Sequence, residues 1–229
     1  MHRERIGRVT RRDVLLGAGL LTVASHSSGM ELPVATPMST NFDVLRFVDD
    51  CIRANDGTAS AQAAVQDVLA RALADPAAVL AGVGEPRQGG LRALHRSANL
   101  TILNIVWAPL MQLLPHDHNM WALIGIYTGR EDNIFWERRD TRVAPTHAAA
   151  IGRGDVIALP ADVIHSVANP IGKLTGAIHI YGGDFFAPGR TEWDPESLAP
   201  RPWSIQGAVH QFEESNARFL GPRSGSACG

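Results

Sequence analysis

The sequence lacks several features that would assign it at once to a common class of protein. Its 229 residues include only two cysteines, Cys51 and Cys228, and no Cys-x-x-Cys pair. This excludes a cysteine-based zinc knuckle and a disulfide framework, and it favours a reducing compartment. Charge is nearly balanced, with 21 Lys and Arg against 23 Asp and Glu and a formal net charge of -2. A dedicated nucleic-acid or membrane surface usually needs a basic face, so neither partner is expected.

A hydrophobic run long enough to span a membrane is missing as well. The apolar stretch at residues 17–24 is too short to cross a bilayer. It follows Arg11-Arg12, and a basic region before a short apolar run is typical of an export signal, here of the twin-arginine type. The alternative is a start codon assigned too far upstream, because Met30 and Met38 both precede the globular pattern. Residues 1–38 are therefore expected to lie outside the fold, and the location stays open between cytoplasm and export.

Residues 39–229 predict one mainly β domain with helices at both ends, and a hydrophobic content of 45% is ordinary for such a domain. Apolar residues at helical spacing predict a helical lobe over residues 39–88. Residues 89–205 carry short runs of Ile, Val, Leu and Trp between Gly, Pro, Asn and Asp, which is typical of a sandwich or barrel. A closing helix is expected at 206–220 and a tail at 221–229. The predicted strands are 91–95, 100–107, 111–114, 120–128, 133–138, 141–144, 155–159, 164–167 and 174–181.

Histidines form the most informative pattern. His116 and His118 are two residues apart, so on a strand their imidazoles lie on the same face and can aim at one point. Neutral imidazoles that share a face are good ligands for iron, zinc, nickel or copper. A His-x-His pair is weak by itself, and hydrogen bonding in a polar surface loop is the alternative for these side chains.

A second pattern adds a third histidine. The turn at Gly154-Asp155 is followed by an apolar strand, a bend at Pro160 and a returning strand with His165, which places His165 inside a barrel. The two segments together resemble the two motifs of the cupin superfamily. This resemblance implies a cupin double-stranded β-helix, or jelly-roll, barrel that holds one metal ion. The residues that carry it are His116, His118, Gly125 and Gly129 in the first motif, and Gly154, Pro160, His165 and Asn169 in the second.

One departure from the cupin pattern narrows the class. Many cupins have a glutamate a few residues after the His-x-His pair, but residues 119–123 contain no carboxylate. Three histidines without a carboxylate resemble the thiol dioxygenases, the cysteine dioxygenase and 3-mercaptopropionate dioxygenase group. The resemblance implies that His116, His118 and His165 hold Fe(II), and that a small thiol and O2 are converted to a sulfinic acid. Trp121 after the pair agrees with the bacterial members.

A later segment resembles the Ser-x-His-x-Tyr element of the same group, whose three side chains form a hydrogen-bonded relay beside the iron. The resemblance implies catalytic roles for His179 and Tyr181, which are two residues apart and share a strand face. Ala177 occupies the serine position, so the outermost member of the relay is missing. The alternatives are a buried structural histidine and an ordinary tyrosine that lines the barrel.

Other polar residues near these motifs have weaker expectations. Arg92 and Arg96 fall near the place where animal-type enzymes bind the substrate carboxylate, and arginine can pair with a carboxylate through two hydrogen bonds. Solvated surface arginines are the alternative for each. Residues 129–136 predict a strand, a solvated acidic turn and a strand, so Glu131 is not expected to be a ligand. Asp117 is expected to point away from its two histidine neighbours and to support the strand or an imidazole.

Two other functions are compatible with the same residues. One is a cupin hydrolase, isomerase or carbon-directed dioxygenase that uses iron, manganese, nickel or zinc. The other is a non-enzymatic cupin that binds a small molecule. The sequence leaves the identity of the thiol and the oligomeric state open.

Overall fold

The structure is a computed structural model, and it describes residues 8–9 and 42–220. Most of the predicted leader and the whole predicted tail lie outside the described residues. Arg8–Val9, named β1, belongs to the predicted leader segment and pairs antiparallel with Ile157 and Val156. In the described part of the chain, no helix is both long enough and apolar enough to cross a membrane.

The helical lobe precedes the barrel and consists of α1 (Val44–Ala54), α2 (Ala61–Ala72) and α3 (Pro76–Val83). Asp43 caps α1, because its side chain accepts a hydrogen bond from the Arg46 amide. Asp75 caps α3 in the same way and is followed by a proline at the first helical position. These caps and the proline at the first helical position determine where α1 and α3 begin.

The strands that follow form two six-stranded sheets. The first sheet has the order β1-β8-β5-β10-β3-β2 and the second has the order β12-β11-β4-β9-β6-β7. All the pairings are antiparallel. The strands are β2 (Gly90–Arg96), β3 (Thr101–Trp107), β4 (Gln112–Asp117), β5 (Ala122–Thr128), β6 (Arg130–Arg139), β7 (Arg142–Gly152), β8 (Val156–Leu159), β9 (Ile164–Ala168), β10 (Thr175–Tyr181), β11 (Thr191–Trp193) and β12 (Pro200–Pro202).

The pairing of β3 to β10 is nested. β3 pairs with β10, β4 with β9, β5 with β8 and β6 with β7. Successive strands from β3 to β6 alternate between the two sheets, and each pairs with a strand from β10 back to β7. This is the jelly-roll arrangement of a double-stranded β-helix. The predicted mainly β, cupin-type fold is confirmed, as are helices at both ends of the domain.

Two hydrophobic cores stabilise this arrangement. One lies between the two sheets, and α4 (Ile205–Leu220) adds to it through Phe212, whose ring stacks on Trp107 with 5.4 Å between centroids. The other lies between the helical lobe and the outer face of the first sheet, where Leu69 packs in the same cluster as Leu123 and Ile178. The space between the sheets is therefore closed by apolar side chains, and polar groups inside it need partners there.

The structure differs from the sequence prediction at two places in the second sheet. β11 and β12 were not predicted, because each has three residues and β12 begins and ends with proline. The predicted strand, solvated turn and strand over 129–136 is wrong. β6 runs without interruption from Arg130 to Arg139, and Glu131 is 0% exposed.

Candidate metal centre

Two paired strands bring the three predicted ligands together. His116 on β4 lies directly opposite His165 on β9, and His118 immediately follows the end of β4. The register of this pair shifts between Leu113 and His116, and such an irregularity can redirect side chains. All three histidines are buried. Pairing of β4 with β9 thus brings the imidazole of His165 to the His116–His118 pair, although His165 is distant from that pair in the sequence.

The Nε2 atoms of the three histidines converge. His118 Nε2 lies 3.1 Å from His116 Nε2 and 3.2 Å from His165 Nε2. Nitrogens bound at about 2.1 Å from one ion lie about 3.0 Å apart at right angles and about 3.4 Å apart at tetrahedral angles. The observed separations fall between these values. Among the described residues, this group contains three histidines and no carboxylate.

The hydrogen bonds of the other ring nitrogens agree with metal binding. His116 Nδ1 lies 2.8 Å from the Leu114 carbonyl oxygen, and His165 Nδ1 lies 2.7 Å from Asn133 Oδ1. Both acceptors require a proton on Nδ1, so a neutral ring carries its lone pair on Nε2. Burial lowers the pKa of His116 to about 4, and it lowers the pKa values of His118 and His165 well below their ordinary range. Neutral imidazoles with converging lone pairs fit a bound cation.

His179 and Tyr181 lie beside this centre on β10. Both side chains are buried, and His179 Nδ1 is 3.2 Å from the Tyr181 hydroxyl oxygen. The Tyr181 ring meets the His118 ring edge-on, with 5.0 Å between centroids. Burial raises the pKa of Tyr181 above its ordinary value, so the hydroxyl keeps its proton at neutral pH. The structure therefore brings the two residues of the predicted relay to the metal ligands.

Glu131 is part of the same buried network, contrary to the expectation of a solvated turn. Its carboxylate accepts hydrogen bonds from Trp107 Nε1 at 2.7 Å and from Asn133 Nδ2 at 3.0 Å. Its Oε2 is also 3.4 Å from His179 Nε2. Strand alternation was the available signal, because Glu131 and Asn133 occupy positions two apart and both point inward from β6.

The two arginines considered for substrate binding lie elsewhere. Arg92 and Arg96 are on β2 and are both exposed. Arg92 Nη2 donates to the Val83 carbonyl oxygen at 3.3 Å. Arg96 forms two hydrogen bonds with Asp184, at 2.8 and 2.9 Å. The structure does not bring either side chain to the three histidines, because both are exposed on the outer side of the first sheet.

Arg190, which the sequence analysis did not single out, is buried near the site. It is 4% exposed, and its guanidinium lies 3.3 Å from the ring centroid of Trp203 and 4.0 Å from that of Phe185. None of its three side-chain nitrogens has a hydrogen-bond partner among the described residues. Burial lowers the pKa of Arg190 to about 10, so it is still charged at neutral pH. The Phe185 ring in turn contacts Tyr181.

Asp117 fulfils its expected supporting role through neighbouring strands. One carboxylate oxygen accepts from the Thr191 amide at 2.7 Å and the other from Arg138 Nη2 at 3.0 Å. The partners lie on β11, which pairs with β4, and on β6, which is separated from β4 by β9. The side chain between the two ligands thus holds the second sheet together and does not contact an imidazole.

The cavity inside the barrel is small and largely aromatic. It measures about 20 Å³ and is bordered by His116, His165, His179 and Tyr181, with apolar side chains around them. A larger cavity of about 670 Å³ lies along the second sheet and does not include the histidines. The inner cavity is about the size of one or two water molecules.

Comparison with known proteins gives the following. No family model matches the chain. No curated protein matches it. Similar solved structures include an RmlC-like cupin family protein with a double-stranded β-helix fold from Methanocaldococcus jannaschii, with 14% identity over 44% of this chain and 85% of that chain and a TM-score of 0.38. A cupin superfamily protein from Desulfitobacterium hafniense has 20% identity over 46% of this chain and 88% of that chain, with a TM-score of 0.37. A variant of oxalate decarboxylase from Bacillus subtilis has 16% identity over 60% of this chain and 34% of that chain, with a TM-score of 0.36.

Fold and site together define the class of this protein. It is a cupin-type jelly-roll barrel with a candidate metal site of three histidines. The fold assignment rests on the nested strand pairing, and the site rests on the distances between His116, His118 and His165.

Proposed function

We propose that the protein is a mononuclear, non-heme iron(II) enzyme that oxidises a small thiol to its sulfinic acid with O2. The observation that carries this proposal is the convergence of three neutral imidazoles without a carboxylate, beside a buried tyrosine–histidine pair. His116, His118 and His165 would hold the iron, which would supply the redox chemistry with O2 and, as a dication, would favour the thiolate form of the substrate.

The protein's own residues prepare the site for this reaction. Tyr181 presents a hydroxyl group next to the His118 ring, and His179 holds that hydroxyl in place through its Nδ1 atom. The hydroxyl can therefore hydrogen-bond to a small substrate and exchange a proton with it. Apolar walls formed by Trp107, Phe185 and Phe212 keep bulk water out of the cavity.

Arg190 supports a substrate that carries an anionic group besides its thiol. Burial of a charged group without a partner is costly, and a guanidinium binds carboxylates through two parallel hydrogen bonds. Trp203 and Phe185 hold the guanidinium by contact with its carbon, which leaves its N–H groups without acceptors among the described residues. A carboxylate on the substrate would supply the missing acceptor. The favoured substrate class is thus a small mercapto-carboxylic acid.

The test is a screen of iron-reconstituted protein under anaerobic loading, followed by exposure to O2. Cysteine, 3-mercaptopropionate and mercaptosuccinate carry a carboxylate, whereas cysteamine is the matched thiol without one. We expect O2 consumption and sulfinic acid formation with at least one of the carboxylated thiols and little with cysteamine. Arg190→Met should raise KM for the carboxylated substrate by about 10- to 100-fold, since a hydrogen bond to a charged group is worth about 1.5–3 kcal/mol. Arg96→Gln, an exposed control, should leave KM unchanged.

Two results would contradict this function. Full iron loading without O2 uptake on any thiol would favour a metal-dependent cupin of other chemistry. Purified protein that retains far less than about one metal equivalent, even after reconstitution, would favour a non-enzymatic binding protein.

A further inference from the structure

The relay beside the three histidines has a partner that its sequence motif lacks. Ala177 leaves no hydroxyl at the outer position of the motif. On the other side of His179, however, the Glu131 carboxylate lies 3.4 Å from Nε2, a buried nitrogen that has no hydrogen-bond partner in the described part of the chain. Glu131 reaches this point from β6, in the opposite sheet from β10. A buried carboxylate needs hydrogen-bond donors, and the network described above provides them.

The carboxylate determines where the proton of His179 lies. A carboxylate only accepts hydrogen bonds, so it favours the ring form with a proton on Nε2. Nδ1 then carries the lone pair and accepts a hydrogen bond from the Tyr181 hydroxyl group, with 3.2 Å between the nitrogen and the oxygen. The lone pairs of the tyrosine oxygen are left to face the cavity. The negative charge of Glu131 near Nε2 thus favours the ring form of His179 that accepts a hydrogen bond from Tyr181.

The second carboxylate oxygen of Glu131, Oε1, determines through Asn133 where the proton of His165 lies. Oε1 accepts from Asn133 Nδ2 at 3.0 Å, so the amide oxygen of Asn133 must face the other way. That oxygen lies 2.7 Å from His165 Nδ1 and requires a proton there, which frees His165 Nε2 for the metal. Glu131 and Asn133 point inward from alternate positions of β6, so one strand serves both branches.

We propose that Glu131 is a positioning residue that sets the protonated nitrogen of both His179 and His165, and thereby links the relay to the metal ligands. This proposal rests on the metal site and relay of the proposed function, but it does not depend on which substrate is oxidised. The competing explanation is that Glu131 only satisfies the indole N–H of Trp107.

The test reads proton positions directly by ¹⁵N NMR of the histidine rings in full-length protein loaded with zinc(II), which is diamagnetic. Signals are assigned with His179→Gln and His165→Gln. In the unsubstituted protein, we expect His179 to be protonated on Nε2 with zinc bound, and His165 to be protonated on Nδ1 already before zinc is added, because bound zinc would by itself enforce that proton position. Protonation of His179 on Nδ1 would overturn the proposal without any Glu131 variant.

Glu131→Gln then separates positioning from simple support of Trp107. The substituted amide still accepts a hydrogen bond from the indole only if its oxygen takes the position of Oε2, which faces both Trp107 and His179, so its NH2 group faces Asn133. We therefore expect the Asn133 amide to turn its NH2 group toward His165 and move the proton of the metal-free His165 ring to Nε2, with metal affinity about 10- to 100-fold weaker, as is usual when a group behind a ligand is lost. Glu137→Gln is the matched control, because Glu137 lies on the same strand and pairs with Arg139 at the surface; it should change neither property.

The outcomes are distinguishable from failure of the proposed function. Unchanged ring signals and unchanged metal affinity in Glu131→Gln would overturn the positioning role, even if thiols are oxidised. Changed ring signals would support it, even if every thiol in the screen is inert.

Discussion

Each of the three metal-site histidines offers Nε2 to the centre, but they differ in how the opposite nitrogen is held. His116 donates to a backbone carbonyl and His165 to an amide oxygen. His118 Nδ1 is buried and has no hydrogen-bond partner among the described residues. Its ring is instead fixed by packing, including the contact with Tyr181. Single substitutions of a histidine or of Tyr181 should thus separate metal binding from the role of the Tyr181 hydroxyl group.

We predict that His165→Ala loses iron and activity together, whereas Tyr181→Phe keeps iron and turns over more slowly. Removal of one of three imidazoles leaves two ligands, while the tyrosine ring packs at the site without touching the convergent nitrogens. A proton-transferring group contributes about 10²-fold or more to rate, so a loss of that order is expected for Tyr181→Phe. Metal analysis with O2 uptake measures both effects. Full iron loading of the His165→Ala protein would contradict the assignment.

At the scale of elements, the second sheet depends on one carboxylate between two ligands. Asp117 joins β4 to β11 through the Thr191 amide and to β6 through Arg138. Its side chain is 4% exposed, whereas that of Arg138 is 58% exposed. The hydrogen bond to the partly buried Thr191 amide therefore matters more than the ion pair, which solvent screens. Through this contact the short strand β11 is held beside the metal ligands.

We predict that Asp117→Asn lowers the free energy of unfolding by about 1–3 kcal/mol, because a charge-assisted hydrogen bond is weakened and a donor faces a donor. Urea denaturation followed by circular dichroism measures the change. Asp132→Asn is the control, since its partner Arg130 is exposed and such surface pairs contribute about 0–1 kcal/mol. Equal stability of the Asp117 variant and the original protein would show that β11 is held by other contacts.

At the scale of the whole molecule, the helical lobe and the barrel form a continuous structure with a shared core. Gly125 lies on β5, where the helices pack on the first sheet. A Cβ atom there would be 2.3 Å from Leu73 Cδ1 and 3.1 Å from both terminal carbons of Leu69. Both leucines are buried in the shared core, so neither can move aside without disturbing its neighbours. The absence of a side chain at this position permits the close approach of lobe and barrel.

We predict that Gly125→Ala destabilises the protein by about 1–3 kcal/mol, the usual range for overpacking a core. Gly152→Ala is the matched control, because a Cβ atom there would meet nothing within 4 Å. Thermal unfolding should show a lower Tm for the first variant and little change for the second. Similar Tm values for the two variants would mean that the lobe adjusts freely on the barrel.

The fold class and the placement of His116 and His118 side by side were predictable from the sequence, because both depend on local patterns. Period-two alternation and turn residues mark the strands, and the same alternation puts His116 and His118 on one side. The third ligand, His165, was found by resemblance to a second motif with its own turn and bend. The helices were found from their apolar spacing, whereas the caps Asp43 and Asp75 were identified only in the structure.

Only the tertiary structure decided which polar groups meet inside the barrel. Glu131 reads locally as part of an acidic, solvated turn, yet pairing of β6 with β7 and β9 buries it. Arg190 lies in a loop without a pattern, and its burial results from contact with Trp203, which precedes α4. Arg92 and Arg96 are of the residue type that favours carboxylate binding, but both are exposed on β2. The physical reason is that burial and hydrogen-bond partners depend on residues distant in the chain, whereas alternation and capping depend only on near neighbours.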